Sequence, residues 1–308
     1  MLLIHFGRVR MYNTHGIEKE RVIGGEYMQK IWITGAEGHV GSALRELLDC
    51  TEYQILTTDV EEVDITDLEQ VKQYMHVNRP DVVINCAGLT NVGYCETHVD
   101  EAYKVNAIGV RNIVLTASEI HAKLIHMSTD DVFDMVTERP YNEFDKAHPK
   151  TIYGKSKEAG ERFITQLMHR YVIIRSSWIY GIGKDFVDEV LRSVGTVAKL
   201  EVPSNRYGVP TSSDELAKIV RYFIDHDEYG LYHAVCKGSC SRYEFAKAIL
   251  EYAGLAEELD LEPVAADGGL RPEYSVLDNM MLRLTGIPEP KDWQTALKDY
   301  IEEKGGIE

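Results

Sequence analysis

Short apolar runs alternate with helix-like stretches over the first two thirds of the chain. Five runs that contain Ile, Leu or Val predict buried strands at residues 30–34, 54–58, 82–86, 123–127 and 171–175. The stretches between them predict helices at residues 42–48, from a turn at 64–67 to about 77, at 100–120 and at 153–169. Strands that alternate with helices in this way predict an α/β protein with a parallel, doubly wound sheet.

A glycine-rich turn follows the first predicted strand. Gly35, Gly38 and Gly41 have the spacing G-x-x-G-x-x-G and lie between that strand and the first helix. Glycines let a dinucleotide approach the backbone, and the free N–H groups of the helix N-terminus favour its pyrophosphate. A plain glycine-rich loop can share this spacing, but the flanking strand and helix favour a Rossmann-type, NAD(P)-binding sheet.

Asp59 follows the second predicted strand, a little over twenty residues after the first glycine. An acidic residue at this position accepts hydrogen bonds from the adenosine ribose hydroxyls. No Arg or Lys lies between Thr57 and Glu62, so a ribose 2′-phosphate has no adjacent cation. The pattern favours NADH and leaves NADPH open.

The second part of the chain is less regular. It predicts helices at residues 185–194, 213–226, 241–253 and 291–304 and a strand at 231–235. We therefore expect a Rossmann domain at residues 28–175 and a smaller C-terminal substrate-binding lobe over most of residues 176–308, part of which can return to the first sheet. Residues 1–27 show no convincing period, and we expect an N-terminal extension, or an upstream start choice, without a catalytic role.

Charge and cysteine content narrow the class of protein. A net charge of −17 disfavours binding to nucleic acid or to an anionic membrane, and no apolar run reaches membrane-spanning length. Five scattered cysteines favour a reducing, cytoplasmic location. Cys236 and Cys240 lack a second ligand pair, so we predict no metal site. The sequence leaves the oligomeric state open, and a homodimer is one of the states it allows.

Tyr153 and Lys157 are the candidate catalytic pair. They lie four residues apart, on one face of the predicted helix. A neighbouring ammonium lowers the pKa of a tyrosine, so that the phenol can give a proton to a carbonyl oxygen while a hydride reaches its carbon. Three other Tyr/Lys pairs share this spacing, but Tyr153 opens the helix after the strand that ends at Thr129, whose hydroxyl could bind the same carbonyl.

With these motifs, the chain resembles the extended branch of the short-chain dehydrogenase/reductase superfamily, and within it the dTDP-4-dehydrorhamnose reductase family. The similarity covers about residues 29–302. Besides Thr90 and Val92, it rests on ordered matches at residues 33–41, 64–66, 79–85, 105–107, 128–130, 132–134, 153–157, 175–181, 208–211, 243–246, 271–272 and 275–278.

The resemblance implies that NADPH or NADH reduces a 4-keto nucleotide sugar, most closely dTDP-4-dehydrorhamnose, with Tyr153 as the proton donor. The catalytic residues that it implies are Thr129, Tyr153 and Lys157. The residues that it implies for cofactor binding are Gly35, Gly38, His39, Val40, Asp59, Asp64, Ile65, Ala87, Gly88 and Lys157. Those that it implies for the substrate are Thr90, Val92, Asp130 and Trp178, with Arg271 as a candidate for the diphosphate.

Some of these roles have plainer alternatives. Trp178 could be a packing residue, and Arg271 an exposed surface arginine. Asn106 could support the active site from its helix or cap backbone groups.

Other activities also remain open. Leu89 and Asp131 depart from the family pattern beside the predicted pocket. A nucleotide-sugar epimerase or dehydratase of the same superfamily is one alternative, although the Asp-Glu pair typical of dehydratases is Asp130-Asp131 here. A non-catalytic NAD(P)-binding subunit, similar to the regulatory subunit of methionine adenosyltransferase, is the other.

Overall fold

The structure is a computed structural model that describes residues 8–12, 18–22, 28–134, 139–266, 268–269 and 273–303, with side chains described from residue 28 onward. Its strands are β1 (Arg8–Tyr12), β2 (Glu18–Val22), β3 (Gln29–Thr34), β4 (Tyr53–Thr58), β5 (Val82–Asn85), β6 (Lys123–Thr129), β7 (Tyr171–Ser176), β8 (Ile179–Tyr180), β9 (Lys199–Pro203), β10 (Tyr207–Gly208), β11 (Thr211–Ser212), β12 (Gly230–His233), β13 (Cys240–Ser241) and β14 (Asp260–Val264).

The helices are α1 (His39–Leu47), α2 (Leu68–Asn78), α3 (Val92–Thr97), α4 (Val99–Tyr103), α5 (Val110–Glu119), α6 (Ile152–Leu167), α7 (Phe186–Ser193), α8 (Ser213–Asp225), α9 (Arg242–Tyr252), α10 (Met280–Thr285) and α11 (Trp293–Glu303). They include two short ones, α3 and α10, that the sequence analysis did not predict. A π-helical segment, Lys104–Gly109, joins α4 to α5, so the helix predicted at residues 100–120 is interrupted.

Six parallel strands form the central sheet, in the order β12-β7-β6-β5-β3-β4. This confirms the predicted doubly wound, Rossmann-type α/β fold. The chain passes from β3 to β4 on one side and then to β5 on the other, so the strand order reverses between β3 and β5. Ligands of such sheets bind beyond the carboxyl ends of the strands at this reversal. The glycine turn and the loop after β5 both lie there.

Helices cover both faces of the sheet. Trp32 and Ile33 are fully buried and point to opposite faces, because side chains alternate along a strand. Ile33 packs in a cluster with Leu44 of α1 and Phe223 of α8, whereas Trp32 packs in a cluster with Ile113 of α5. Burial on both faces explains the nearly continuous apolar character of these strands.

The sheet is completed by the second part of the chain. Strand β12 pairs in parallel with β7, and Phe223 of α8 packs against Tyr232 of β12 with ring centroids 4.7 Å apart. The Lys123 ammonium, at the start of β6, donates to the carbonyl oxygens of Phe223 and His226, each at 2.6 Å. Both α8 and β12 therefore belong to the central sheet and its helix layer, although they lie beyond residue 176.

The rest of the C-terminal part forms its own core. Phe245 of α9 and Trp293 of α11 are buried there, together with Val190 of α7. Strands β9 and β14 pair in parallel beside these helices, and β10 pairs with β13. Cys236 and Cys240 are buried in this core as free thiols, which agrees with a packing role.

A short antiparallel hairpin precedes the sheet. Strands β1 and β2 pair from Arg8 opposite Val22 to Tyr12 opposite Glu18. The sequence analysis did not predict it, because RVRMY and EKERV contain no apolar run like those that predicted the strands of the sheet. Among the described helices, none is long and apolar enough to cross a membrane.

The packing of α8 gives a prediction for stability. Phe223 is 0% exposed in the sheet core, so we expect Phe223→Ala to lower the free energy of unfolding by about 3–5 kcal/mol. Phe144 is 70% exposed, and we expect Phe144→Ala to change it by less than about 0.5 kcal/mol. Chemical denaturation measures both. Equal losses for the two variants would contradict the assignment of α8 to this core.

Candidate active site

The glycine turn is shaped by two close backbone approaches. Gly35 has a φ of +64°, and a Cβ there would lie 2.7 Å from the backbone nitrogen of Ala87. At Gly41, a Cβ would collide with the Gly35 carbonyl oxygen. Glycine is therefore required at both positions, and the turn packs directly on the loop that follows β5.

The N-terminus of α1 is open to a ligand. Gly38 is its N-cap and provides no side-chain hydrogen bond, whereas Asp67 and Thr151 cap the first N–H groups of α2 and α6. The first turn begins with His39 and Val40, and Val40 is buried in the sheet core. Free N–H groups and the helix dipole suit a phosphate, so this helix terminus fits a dinucleotide pyrophosphate.

Asp59 lies beside this turn. Its carboxylate accepts a hydrogen bond from the backbone N–H of Glu37 at 2.9 Å, and its own N–H donates to the Glu62 carboxylate at 2.8 Å. These bonds fix a carboxylate at the end of β4, where an adenosine ribose is expected. The two acidic groups make this place unfavourable for a further negative charge.

The segment of Asp64 and Ile65 is held against α5. Ile65 is buried, and its carbonyl oxygen accepts a hydrogen bond from the Asn112 side chain at 3.0 Å. The Asp64 carboxylate accepts from the Thr66 N–H at 2.8 Å, which closes the turn before α2. The structure thus uses the Asp64 side chain in a local turn.

Asn106, in the π-helical segment, holds the loop after β5. Its side chain accepts from the Leu89 N–H at 2.8 Å and donates to the Leu89 carbonyl at 2.9 Å and to the Ser156 hydroxyl at 3.0 Å. A Cβ on Gly88 would lie 3.1 Å from the Asn106 oxygen and 3.7 Å from the Lys157 nitrogen. Asn106 therefore supports the loop of Ala87 and Gly88 and ties it to α6.

Thr129, Tyr153 and Lys157 lie where α6 begins against the end of β6. Thr129 is the last residue of β6, and Lys157 donates to the Met127 carbonyl at 2.6 Å. The start of α6 touches the backbone after Thr129, since a Cβ on Gly154 would collide with the Asp131 carbonyl oxygen. The buried Tyr153 packs in a cluster with Val92. The structure thus brings the three predicted catalytic residues to one edge of the sheet.

Burial lowers the pKa of Lys157 to about 8, and the nearby Glu161 carboxylate acts in the opposite direction. The ammonium therefore remains mostly protonated at neutral pH. A positive charge buried four residues after Tyr153 is the arrangement that favours a phenolate and strengthens a phenol as an acid.

A buried ion pair behind this edge was not predicted from the sequence. Glu161, one helical turn after Lys157, forms a bidentate pair with Arg175 of β7, with N···O distances of 2.9 and 2.6 Å. Its carboxylate also accepts from the Ser128 hydroxyl at 2.5 Å. The pair links α6 to β7, and the bond from Ser128, the residue before Thr129, adds β6. Its members are too far apart in sequence for spacing to reveal them.

Asp130 connects the end of β6, where Thr129 lies, to the end of β7. We call this end of the sheet, with Thr129, Tyr153 and Lys157, the catalytic edge. Asp130 accepts from the Thr129 hydroxyl at 3.1 Å and from the Ser177 hydroxyl at 2.8 Å. Ser177 immediately precedes Trp178, whose half-buried indole packs against the C-terminal core, with its centroid 6.5 Å from that of Phe245. The sequence analysis missed Ser177 because a serine after a strand has no distinctive signal.

An open cleft of about 670 Å³ lies between the loop after β5 and the start of α7. Its lining consists of Thr90, Asn91, Val92, Gly93, Lys184, Asp185, Asp188 and Glu189. Thr90 and Val92 thus line a cleft, and Val92 also packs in the cluster of Tyr153. Arg271 lies outside the described residues. Among those that are described, no group of three or more His, Cys, Asp or Glu could hold a metal ion.

Comparison with known proteins identifies the family. The family model for the RmlD substrate binding domain matches residues 28–305. Spore coat polysaccharide biosynthesis protein SpsK of Bacillus subtilis is 38% identical, covering 90% of this chain and 98% of that protein. The dTDP-4-dehydrorhamnose reductase of Aggregatibacter actinomycetemcomitans is 35% identical, covering 88% of this chain and 98% of its own length.

A solved structure agrees with these sequence matches. The dTDP-4-dehydrorhamnose reductase of Bacillus anthracis, solved in complex with NADP, is 37% identical and superimposes with a TM-score of 0.88, covering 91% of this chain and 100% of that one. The chain therefore belongs to the dTDP-4-dehydrorhamnose reductase family, whose members are NAD(P)H-dependent oxidoreductases.

Proposed function

We propose that this protein reduces the 4-keto group of a nucleotide sugar, namely dTDP-4-dehydrorhamnose, to give dTDP-rhamnose. The proposal is supported by the packing of the start of α6, with Tyr153 and Lys157, against the end of β6, where Thr129 lies, beside an open cleft. The names of the relatives indicate which sugar is reduced, and the residues Thr129, Tyr153 and Lys157 indicate the type of reaction.

Each of the three residues has a distinct role in this reaction. NADPH or NADH, when bound, supplies the hydride to carbon 4 of the sugar. Tyr153 donates its phenolic proton to the oxygen that becomes the hydroxyl, and the Thr129 hydroxyl holds that oxygen in place. Lys157 strengthens Tyr153 as an acid and hydrogen-bonds the nicotinamide ribose.

The cofactor-binding residues are proposed from the same geometry. The open N-terminus of α1, with Gly38, His39 and Val40, takes the pyrophosphate. Asp59 takes the adenosine ribose. The close approaches at Gly35 and Gly88 position the turn and the loop that flank the cofactor, and the segment of Asp64 and Ile65 borders the adenine.

The substrate side completes the proposal. Thr90 and Val92 border the sugar on the loop after β5, and Asp130 and Trp178 border it from the ends of β6 and β7. Arg271 remains our candidate for the diphosphate. We propose that residues 28–175, together with α8 and β12, bind the cofactor and that the other C-terminal elements bind the sugar.

Turnover is the first test. We expect wild-type protein mixed with dTDP-4-dehydrorhamnose and NADPH or NADH to lose the absorbance of the reduced nicotinamide. Tyr153→Phe should lower kcat roughly 10²–10⁴-fold, because it removes the proton donor. Tyr243→Phe is the matched control, since Tyr243 also stands four residues before a lysine, and it should retain activity. Absence of net oxidation by the wild type would favour an epimerase or a regulatory subunit instead.

The pKa of Lys157 predicts a pH dependence. Because burial lowers this pKa to about 8, the ammonium is present below that pH and is lost as the pH rises through it. We expect kcat/KM to fall across the same range. Lys157→Arg keeps a positive charge at high pH, and whatever activity it retains should lack this decline. A wild-type profile that stays flat from about pH 7 to about pH 9 would contradict the role of the ammonium.

The acidic end of β4 predicts the cofactor preference. We expect a higher kcat/KM with NADH than with NADPH, because the Asp59 carboxylate repels a 2′-phosphate. Asp59→Asn should reduce this preference by about tenfold, the size of a like-charge contact of about 1.4 kcal/mol. The exposed Glu61 provides the control Glu61→Gln, which should leave the ratio unchanged. The same ratio in wild type and Asp59→Asn would refute the assignment.

A further inference from the structure

Trp178 has a backbone conformation that bulky residues rarely adopt. Its φ is +43°, in the left-handed region, although the residue is not a glycine. Its carbonyl oxygen accepts from the Thr211 N–H at 3.2 Å, and the preceding Ser177 is tied to Asp130. The chain therefore holds this unusual conformation from both sides, next to the catalytic Thr129.

Arg242 covers the indole of Trp178. Its guanidinium carbon lies 3.7 Å from the Trp178 ring centroid and 4.7 Å from that of Phe186. A guanidinium over an aromatic face is attracted to the negative potential of the ring. Phe186 begins α7, whose first turn lines the cleft, so one side chain connects the indole to the cleft wall.

The backbone of Arg242 is itself fixed. Arg242 is the first residue of α9, directly after Ser241, which forms a capping box with Glu244. Its N–H donates to the Arg206 carbonyl at 3.0 Å. A side chain that starts from such a rigid position can hold its partner in one orientation.

The edge of the indole is confined as well. A Cβ on Gly208 would collide with the Cε2, Nε1 and Cζ2 atoms of the Trp178 indole. Gly208 lies in β10, which pairs with β13, and β13 is followed directly by Arg242 at the start of α9. Gly208, beside the indole, and Arg242, over its face, therefore belong to neighbouring elements. Glycine at position 208 leaves the space that the indole occupies.

We propose that Arg242 is a positioning residue that fixes the indole of Trp178 as a rigid wall of the sugar pocket. It acts through Trp178 and does not contact the reacting atoms. The inference rests on the proposed function, because it takes Trp178 as a pocket residue. It adds a determinant of sugar affinity that lies on α9, outside the motifs of the catalytic edge.

The first test needs no substrate. Trp32 is 0% and Trp293 5% exposed, so acrylamide quenching of the free protein reports mainly on Trp178, with Trp178→Phe as the blank. We expect Arg242→Leu to increase this quenching because the indole loses its cover, and Arg242→Lys to give an intermediate value. Arg162→Leu, at an exposed position on α6, is the control and should match the wild type. Unchanged quenching in Arg242→Leu would overturn the proposal.

The second test uses the reaction. Arg242→Leu should raise KM for the nucleotide sugar about 2- to 30-fold, the range of a partly desolvated cation–π contact, with kcat and the KM for the nicotinamide cofactor nearly unchanged. Arg242→Lys should recover part of the loss. Gly208→Ala, which displaces the same indole from its edge, should give the same split between KM and kcat even if Arg242→Leu fails to fold.

The outcomes separate the two proposals. If the wild type does not oxidise the cofactor with any 4-keto nucleotide sugar, the proposed function fails, while the quenching series still tests whether Arg242 positions Trp178. If the wild type is active and the quenching changes but KM for the sugar does not, Trp178 is no pocket wall and the inference is overturned. If Arg242→Leu changed the KM for the sugar and the KM for the cofactor equally, the inference would also be overturned.

Discussion

The proposed catalytic edge, where Thr129 ends β6 and Tyr153 lies in the first turn of α6, depends on the buried positive charge of Lys157. Lys157 donates to the Met127 carbonyl, and burial lowers its pKa to about 8. A buried ammonium is costly unless nearby groups compensate it. Glu161 supplies a negative charge one turn away on the same helix, and Arg175 and Ser128 hold that carboxylate. The bond from Lys157 to Met127 links α6, which contains Tyr153, to β6, which ends at Thr129.

The fold was largely predictable because its signals are local. The strands β3, β5 and β7 are short apolar runs, and the glycine turn follows the first of them directly. The Asp67 cap and the start of α6 at Thr151 also follow rules that act within a few residues. The sequence did not predict the π-helical segment, which contains Asn106 and its hydrogen bond to a loop 17 residues earlier.

The proposed catalytic residues could be named from the sequence for the same reason, whereas the contacts that hold them in place could not. Tyr153 and Lys157 share one helix, so their spacing is visible in the sequence. The contact between Glu161 and Arg175 crosses from a helix to a strand, and the contact of Arg242 with Trp178 spans 64 residues. Contacts of this kind depend on how elements pack, and a single sequence carries no pattern for them.

The first and second parts of the chain meet at the carboxyl ends of β6 and β7, beside the proposed catalytic residues. The Asp130 carboxylate, directly after β6, accepts hydrogen bonds from Thr129 and from Ser177, the residue that precedes Trp178. Any shift of the loop after β7 would move the proposed sugar wall and the catalytic hydroxyl together. Strand β12 pairs with β7 on the side opposite to β6, so β7 is held by a neighbouring strand on both sides. The part of the chain beyond residue 176 therefore contacts the end of β6 through Ser177 and extends the central sheet through β12.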